Sequence, residues 1–303
     1  MSDCILGIDV GGTKLLANVY DLTGHRLLTL RCSTGRDTSV EKLLTLVEKT
    51  FEDSAAVGRI ASVGLGFPGL TDSRRGLVRS SVILDGWHEV AFAERMTSAT
   101  GVPCFIDNDV NNSARAESYV RGRTDGQDLL YVSIGTGVGG ALVLHNELWW
   151  GTSGLAGEIG HVVVDRNGPK CRCGSNGCAA VYAAGAEIDR LIGRASEDGE
   201  ASTALDLGSR LREPTECLGI AIANVLNVMN LPLVVVGGGV ARLGPSLVEL
   251  IEQSARRHAF AEIAGDCRFE LSAAGYEAGA LGAALLAGLS QPDLRGHGAR
   301  HGR

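Results

Sequence analysis

Four residues of metal-binding type, His161, Cys171, Cys173 and Cys178, fall inside the stretch "HVVVDRNGPKCRCGSNGC". Three thiols and an imidazole are the soft and borderline donors that tetrahedral Zn2+ takes, and a closed set of four marks structural rather than catalytic zinc. Free core thiols are the alternative reading. A Cys171–Cys173 disulfide is the least favoured, because it would strain a very short loop. A second group lies in "VPCFIDNDVNNSARAE", where a strand runs into a helix. This sets Asn108 and Asp109 at a strand's carboxyl end, where open α/β sheets bind ligands. Asp109 could act there as a general base or merely cap the helix, and the local residues leave both open. A third group is glycine turns. "GIDVGGTK" carries Asp9, Gly11, Gly12, Thr13 and Lys14, and "SIGTGVGG" carries Gly135, Thr136 and Gly137. Backbone N–H groups exposed in such turns form concavities suited to phosphates. In "VVVGGGVARLG", Gly237, Gly238 and Gly239 would let a flat ring approach the backbone.

These residues need a frame. "CILGIDVGGTKLLANVYDLTGHRLLTLRC" reads as three strands joined by Gly-Gly and Thr-Gly turns, a β-meander. A helix follows, with Thr38 and Glu41 at capping-box spacing and Leu43, Leu44, Val47 and Phe51 on one face. "IASVGLG" and "VPCFID" read as strands, with helices over roughly 88–100 and 110–122. The pattern then restarts: "DLLYVSIGTGVGGALVLHNEL" repeats the strand, glycine turn and strand of the N-terminus. Helices are expected over about 182–196, 215–230 and 244–259 and from about 277, with strands at "LPLVVVGG" and "RFELSAA". "GLGFPG" and "GTGVGG" both match the dinucleotide fingerprint in form, but that motif needs a helix straight after its glycines. "ALVLHNEL" reads as strand and "LTDSRRG" as loop, so a nicotinamide cofactor is disfavoured, and no GxxxxGK[ST] phosphate loop occurs.

At 303 residues the chain exceeds one hydrophobic core, and two α/β domains are expected. A net charge of −7 gives no general basic surface, so nucleic acid is not an expected partner. No secretory signal or membrane span is legible: "IAIANVLNVMNLPLVVVGGGV" is broken by Asn224, Asn227, Asn230 and Pro232. The expected location is the cytoplasm, where eight cysteines read as metal ligands or thiols. Cys4, Cys32, Cys104, Cys217 and Cys267 are expected as small core residues. Trp149 and Trp150 are expected in strand or loop packing.

The two glycine hairpins, "GFPG", "DNDVN", "GLAGEIGH", "CRCGSNGC", "VVVGGG" and "EAGALGAALLA", in that order, resemble the ROK family of sugar kinases and regulators, in the actin and hexokinase superfamily. The likeness spans about residues 5–288. It implies two actin-like (ribonuclease H-like) α/β domains around a central cleft. They would cover 1–115, joined by a C-terminal helix at about 281–292, and 116–280, with a zinc loop at 158–180 and a flexible tail at 293–303. It implies an ATP-dependent kinase acting on a hexose hydroxyl, the 6-hydroxyl first, with Asp109 as base and Asn108, Glu158, His161 and Gly69 on the sugar. The glycine turns would hold ATP and its Mg2+, with Asp9 positioning the ion through water. Zn2+ would sit on His161, Cys171, Cys173 and Cys178, and a homodimer is implied. Polyphosphate is an alternative phosphoryl donor.

The chain also departs from the pattern. Ala180 stands where a sugar-binding glutamate is usual, Ala184-Gly185 where Ser-Gly is, and Ile83 where an asparagine is common. Losing a carboxylate acceptor loosens selection of a glucose-like sugar. It keeps open an amino hexose such as kanosamine, a cyclitol, or a catalytically weak sugar sensor, unless a neighbour compensates. The family's repressors carry a DNA-binding module before the first hairpin. Only a few residues precede it here, so direct DNA binding is not expected.

Overall fold

The computed structural model describes residues 2–122, 128–197 and 208–289. The chain divides into two compact units, 1–116 with 277–303, and 117–276. The tail expected at 293–303, and the last positions of the expected C-terminal helix, lie outside the described residues.

The first unit is built on β1 (Asp3–Val10), β2 (Lys14–Asp21), β3 (Arg26–Ser33), β4 (Arg59–Phe67) and β8 (Cys104–Asn108), in the sheet order β3-β2-β1-β4-β8. β1, β2 and β3 pair antiparallel, while β1, β4 and β8 run parallel. Parallel strands need crossovers, which α1 (Val40–Ser54) and α2 (Phe92–Thr100) provide. Leu6, Ile8, Leu43, Val47, Leu65, Phe67, Phe92 and Met96 form the core between sheet and helices. α3 (Asp109–Val120) leaves the end of β8 directly.

Three local readings change. α1 is capped by Ser39, whose hydroxyl accepts the Lys42 N–H, rather than by Thr38. Thr38 is buried: its hydroxyl accepts the Gly35 N–H and its carbonyl takes the Trp87 indole N–H at 2.9 Å. The helix expected from 88 begins at Phe92. Residues 88–90 form β7 (His88–Val90), which closes a small sheet with β5 (Leu70–Asp72) and β6 (Leu77–Ser80). The stretch read as loop at "LTDSRRG" thus starts as a strand.

The second unit repeats the plan. β9 (Leu129–Ile134), β10 (Val138–Leu144), β11 (Glu147–Trp149), β12 (Leu233–Gly237) and β13 (Arg268–Leu271) stand in the order β11-β10-β9-β12-β13. The meander is again antiparallel and the later strands parallel. Its helices are α4 (Ala179–Ala183), α5 (Gly185–Glu197), α6 (Arg212–Met229), α7 (Pro245–His258) and α8 (Ala261–Asp266). α8 is too short to show a helical period in sequence. Trp149 lies on the edge strand β11 and is 53% exposed. Cys217 and Cys267 in this unit, and Cys4 and Cys104 in the first, are buried thiols.

α9 (Ala278–Leu286) belongs to the first unit and is made almost wholly of Ala, Gly and Leu. It lies on β1 and β4 because Gly7 and Gly64 present no side chain: a Cβ at either would collide with the Ala280 or Ala283 carbonyl oxygen. Gly64→Ala is therefore expected to cost about 3 kcal/mol of stability. Gly265→Ala, which meets nothing within 4 Å, should change it little. Denaturant midpoints of the two variants check this contrast. Among the described residues no helix is long and apolar enough to cross a membrane.

Candidate active site

Strand register places the first group. Asp9 pairs with Gly66, Gly66 with Asp107, and Phe67 with Asn108, so these residues line the carboxyl ends of β1, β4 and β8. The capping question has a clear answer. Asn108 caps α3: its Oδ1 accepts the N–H groups of Val110 at 2.9 Å and Asn111 at 3.1 Å, and its Nδ2 donates to the Gly69 carbonyl at 3.0 Å. Asp109, first in the helix and half-buried, accepts the Val110 N–H at 3.0 Å through Oδ1. The cap duty thus falls on Asn108, and the carboxylate beside it is not needed for that purpose. Gly69 is pressed against Ser80, where a side chain would not fit. One hydrogen of Asn108 Nδ2 remains for a ligand, while its oxygen is fully engaged.

Sequence reasoning missed the residue beneath this arrangement. Asp107 is wholly buried: its Oδ1 accepts the Asn108 N–H at 2.8 Å and Asn111 Nδ2 at 2.9 Å, and its Oδ2 takes Arg115 at 2.8 Å. An acid closing an apolar run, with an arginine eight positions on, was the available signal. Glu117 was missed as well. Also fully buried, it accepts the N–H groups of Ala273 and Ala274, the Ser272 hydroxyl and the Arg121 guanidinium. Except for Arg121, one helical turn on, those partners lie some 155 positions away in sequence, which no local pattern reveals.

Both glycine turns use one amide internally. Gly11 N–H reaches the Lys14 carbonyl at 2.8 Å, and Gly135 N–H reaches that of Gly137 at 2.9 Å. The end of β3 braces the first turn: the Thr34 hydroxyl donates to Gly11 O and the Thr34 N–H to Thr13 O. The amides of Gly12 and Thr13, and of Thr136 and Gly137, remain as the turns' donors, with Lys14 exposed at the start of β2. Around the second turn, the Gly185 N–H donates to Gly135 O at 2.7 Å, and Gly238 (φ +84°) passes under the Ile134 backbone. Gly239 meets nothing within 4 Å of where a Cβ would stand. Gly237 is different: it lies in β12 against the Tyr131 hydroxyl, so its missing side chain makes room for that ring. Gly238 likewise makes room for the Ile134 backbone, so the approach expected over three glycines narrows to Gly239.

Asp9 sits beneath the first turn, with the first turn of α9 directly over its carboxylate at Gly279. Burial pushes its pKa up to about 6, and Lys14 opposes the rise. A carboxyl raised above its ordinary value favours the fold while protonated. That contribution is full below about pH 4 and is lost as pH climbs through about 6. Thermal stability should carry this component, and Asp9→Asn should remove it, as melting temperatures measured across that range will show.

In the second unit, "GLAGEIGH" lies along β10, since Cβ atoms at Gly157 and Gly160 would strike the Gly140 and Val138 carbonyls. This holds Glu158 and His161 at either end of a single 3-10 turn, Ile159–His161 with Glu158 as its N-cap. Burial raises the Glu158 pKa, and His161 opposes the rise. The ligand atoms of His161, Cys171, Cys173 and Cys178 lie within 4.8 Å of one another. His161 Nδ1 is 3.5 Å from Cys171 Sγ, and Cys173 Sγ is 3.6 Å from Cys178 Sγ. Zinc–sulfur bonds of about 2.3 Å in a tetrahedron imply sulfur separations of about 3.8 Å, so the group fits that ion. The Cys178 thiol is pushed up to about 12 by burial first and then by the adjoining sulfurs, a crowding that a dication would reverse. The other imidazole nitrogen, Nε2, faces the Glu158 carboxylate at 3.8 Å. Ala180 is the second residue of α4, two positions after Cys178, and is partly buried against the core of its unit.

Two units of one topology, each with an antiparallel meander, parallel strands beyond it and a glycine turn between its first two strands, define an actin-like α/β protein. A family model described as the ROK family matches residues 5–289, and the chain belongs to that family. Glucokinase from Halalkalibacterium halodurans is 28% identical over 93% of this chain and 94% of its own. The xylose repressor of Bacillus subtilis is 26% identical over 91% of this chain and 75% of its own. A crystal structure of a ROK family glucokinase from Streptomyces griseus in complex with glucose and AMPPNP matches with a TM-score of 0.82 and 26% identity, over 94% of this chain and 99% of that one.

Proposed function

We propose that this protein is an ATP-dependent sugar kinase that phosphorylates a hexose, at the 6-hydroxyl. The observation that carries the reading is the start of α3, where Asn108 makes the cap and the half-buried Asp109 carboxylate stands beside it at the carboxyl end of β8. The sugar hydroxyl oxygen attacks the γ-phosphorus, the bond to the β-phosphate oxygen breaks, and the hydroxyl proton passes to the Asp109 carboxylate. ADP and the sugar phosphate leave. Phosphoryl transfer asks for little beyond an in-line nucleophile and charge stabilisation, which matches a site of one carboxylate and several backbone donors. Asn108 Nδ2, Gly69, Glu158 and His161 orient the sugar. The amides of Gly12, Thr13, Thr136 and Gly137, together with Lys14, hold phosphate oxygens, and the open backbone at Gly239 takes the nucleotide's base. The Asp9 oxygens suit the hydration shell of a hard cation, so Mg2+ arriving with ATP would be held there and would offset phosphate charge. Zn2+ on His161, Cys171, Cys173 and Cys178 would fix the segment that carries Glu158.

Ala180 supplies no acceptor, so one sugar hydroxyl is held less tightly and an amino or N-acetylamino substituent is tolerated there. ADP release across glucose, mannose, N-acetylhexosamines, amino hexoses and cyclitols tests this. An amino-substituted hexose is expected to have a kcat/KM at least equal to that of glucose. A preference for glucose of tenfold or more over every other sugar would contradict relaxed selection and mean that a neighbour compensates. A second reading, a sugar-binding regulator, is favoured by the likeness to the xylose repressor. It predicts sugar binding with no ADP release on any member of the panel.

A further inference from the structure

The helix that carries Asp109 lies against surfaces that give it little orientation of their own. Gly66 of β4 faces the Asp109 backbone, and a Cβ there would stand 3.4 Å from Asp109 Cα. Gly282 of α9 meets the Asn112 backbone so closely that no side chain would fit. Backbone laid on glycine makes close but non-directional contacts. They fix distance and leave the turn of α3 about its own axis weakly set. Directional bonds must supply that setting. They come from a mostly buried ion pair. Asp107, last but one in β8 and wholly buried, presents Oδ2 to the Arg115 guanidinium at 2.8 Å. Arg115 stands in the second turn of α3, and its other terminal nitrogen donates to Asn112 Oδ1 on the same helix. The second oxygen of Asp107 accepts the Asn108 N–H at 2.8 Å and Asn111 Nδ2 at 2.9 Å. Residues on both sides of Asp109 are thus tied to one carboxylate, and that carboxylate is tied to Arg115.

As a source of stability such a pair is poor, because taking two charges out of water is costly and apolar side chains of like volume often serve as well. What it supplies, and apolar contact does not, is direction: the planar guanidinium offers its donors at fixed angles. We propose that Arg115 is a positioning residue for Asp109. By holding Asp107 Oδ2 and Asn112 Oδ1 in one fork, it sets the rotation of α3 on the end of β8 and so the place where the Asp109 carboxylate stands. Lysine keeps the charge but lacks the rigid fork, so it is not an equivalent here. The catalytic consequence rests on the kinase reading, but the positioning does not. Under that reading the carboxylate must meet the attacking hydroxyl closely, and a misplacement of about 1 Å costs about a hundredfold in rate.

The first test uses the full chain with no sugar or nucleotide added. Arg115→Lys leaves Asp107 a charged partner, so its melting temperature should stay within about 3 °C of the original. Hydrogen exchange at the Asn108, Val110 and Asn111 amides, read by NMR, should quicken at least about fivefold, with the β2 amides within about twofold. Unchanged exchange at all three would overturn the proposal. Asp107→Asn, which keeps shape and removes the charge, gives the same readout if the lysine variant does not fold. The second test adds Mg-ATP and a sugar that the unmodified protein phosphorylates. Arg115→Lys should lower kcat about tenfold or more and leave the KM for Mg-ATP within about twofold, since the glycine turns are untouched. Asp107→Asn should act alike, and the double variant should fall no more than about threefold below the worse single one, because both work through one fork. Losses that multiply, or a kcat within about threefold of the original in Arg115→Lys, would overturn the proposal. Val47→Ala, a core truncation in α1, controls for general destabilisation and should leave kcat unchanged. If the unmodified protein phosphorylates no sugar, the kinase reading fails, and the exchange result decides the positioning by itself.

Discussion

Asp109→Asn is expected to lower kcat by about a thousandfold or more while leaving the dissociation constant for sugar within a few-fold of its original value. The substitution keeps shape and removes only the ability to take a proton. In the structure the helix cap is made by Asn108, through the Val110 and Asn111 N–H groups, so α3 should form unchanged in the variant. Had Asp109 been the cap, the same substitution would have been nearly silent, since Asn caps as well as Asp. The two readings of this residue therefore predict opposite outcomes. Steady-state rates beside calorimetric sugar titration separate them, and a variant retaining a tenth or more of the original kcat would remove Asp109 as base.

The second large effect concerns the metal group. The protein, purified without metal-affinity resin or chelator, is expected to carry one zinc per chain. Cys173→Ser, or prolonged chelation, should abolish it and lower the melting temperature by about 5 °C or more. The reasoning runs from geometry: three sulfurs and an imidazole nitrogen lie within 4.8 Å of one another, the donor set and spacing that tetrahedral Zn2+ takes. The loop they close is short of regular structure. It is held by isolated bridges such as Lys170 with Asn176, and by Val163 with Cys178. Because His161 also faces Glu158, loss of the ion should raise the KM for sugar more than that for ATP. Elemental analysis finding no zinc in the untreated protein would end this account.

Much of this was legible in the residues. Strand–glycine–strand patterns announced both meanders, because a hairpin is local and its turn residues are constrained. The order in which the later strands join each meander is non-local and was not legible. What stayed hidden was decided over long sequence distances. Gly7 and Gly64 look like ordinary strand residues until α9, more than two hundred positions later, is laid on them. Glu117 reads as a surface acid on a helix until the amides of Ala273 and Ala274 are found against it. β5, β6 and β7 have three, four and three residues, too few for an alternation to register. At the site, what the sequence left hidden was the local duty of single residues. The residue expected on the sugar, Asn108, has its oxygen taken by the helix it caps, and Gly237 serves Tyr131.

The measurement closest to the central claim is phosphorus NMR of the protein with Mg-ATP and each sugar of the panel in turn. The account predicts, for at least one hexose, a sugar phosphomonoester signal that rises in step with ADP, without free phosphate, and is absent with Asp109→Asn. Sugar binding with no phosphomonoester from any of them, or ADP matched only by inorganic phosphate, would contradict it.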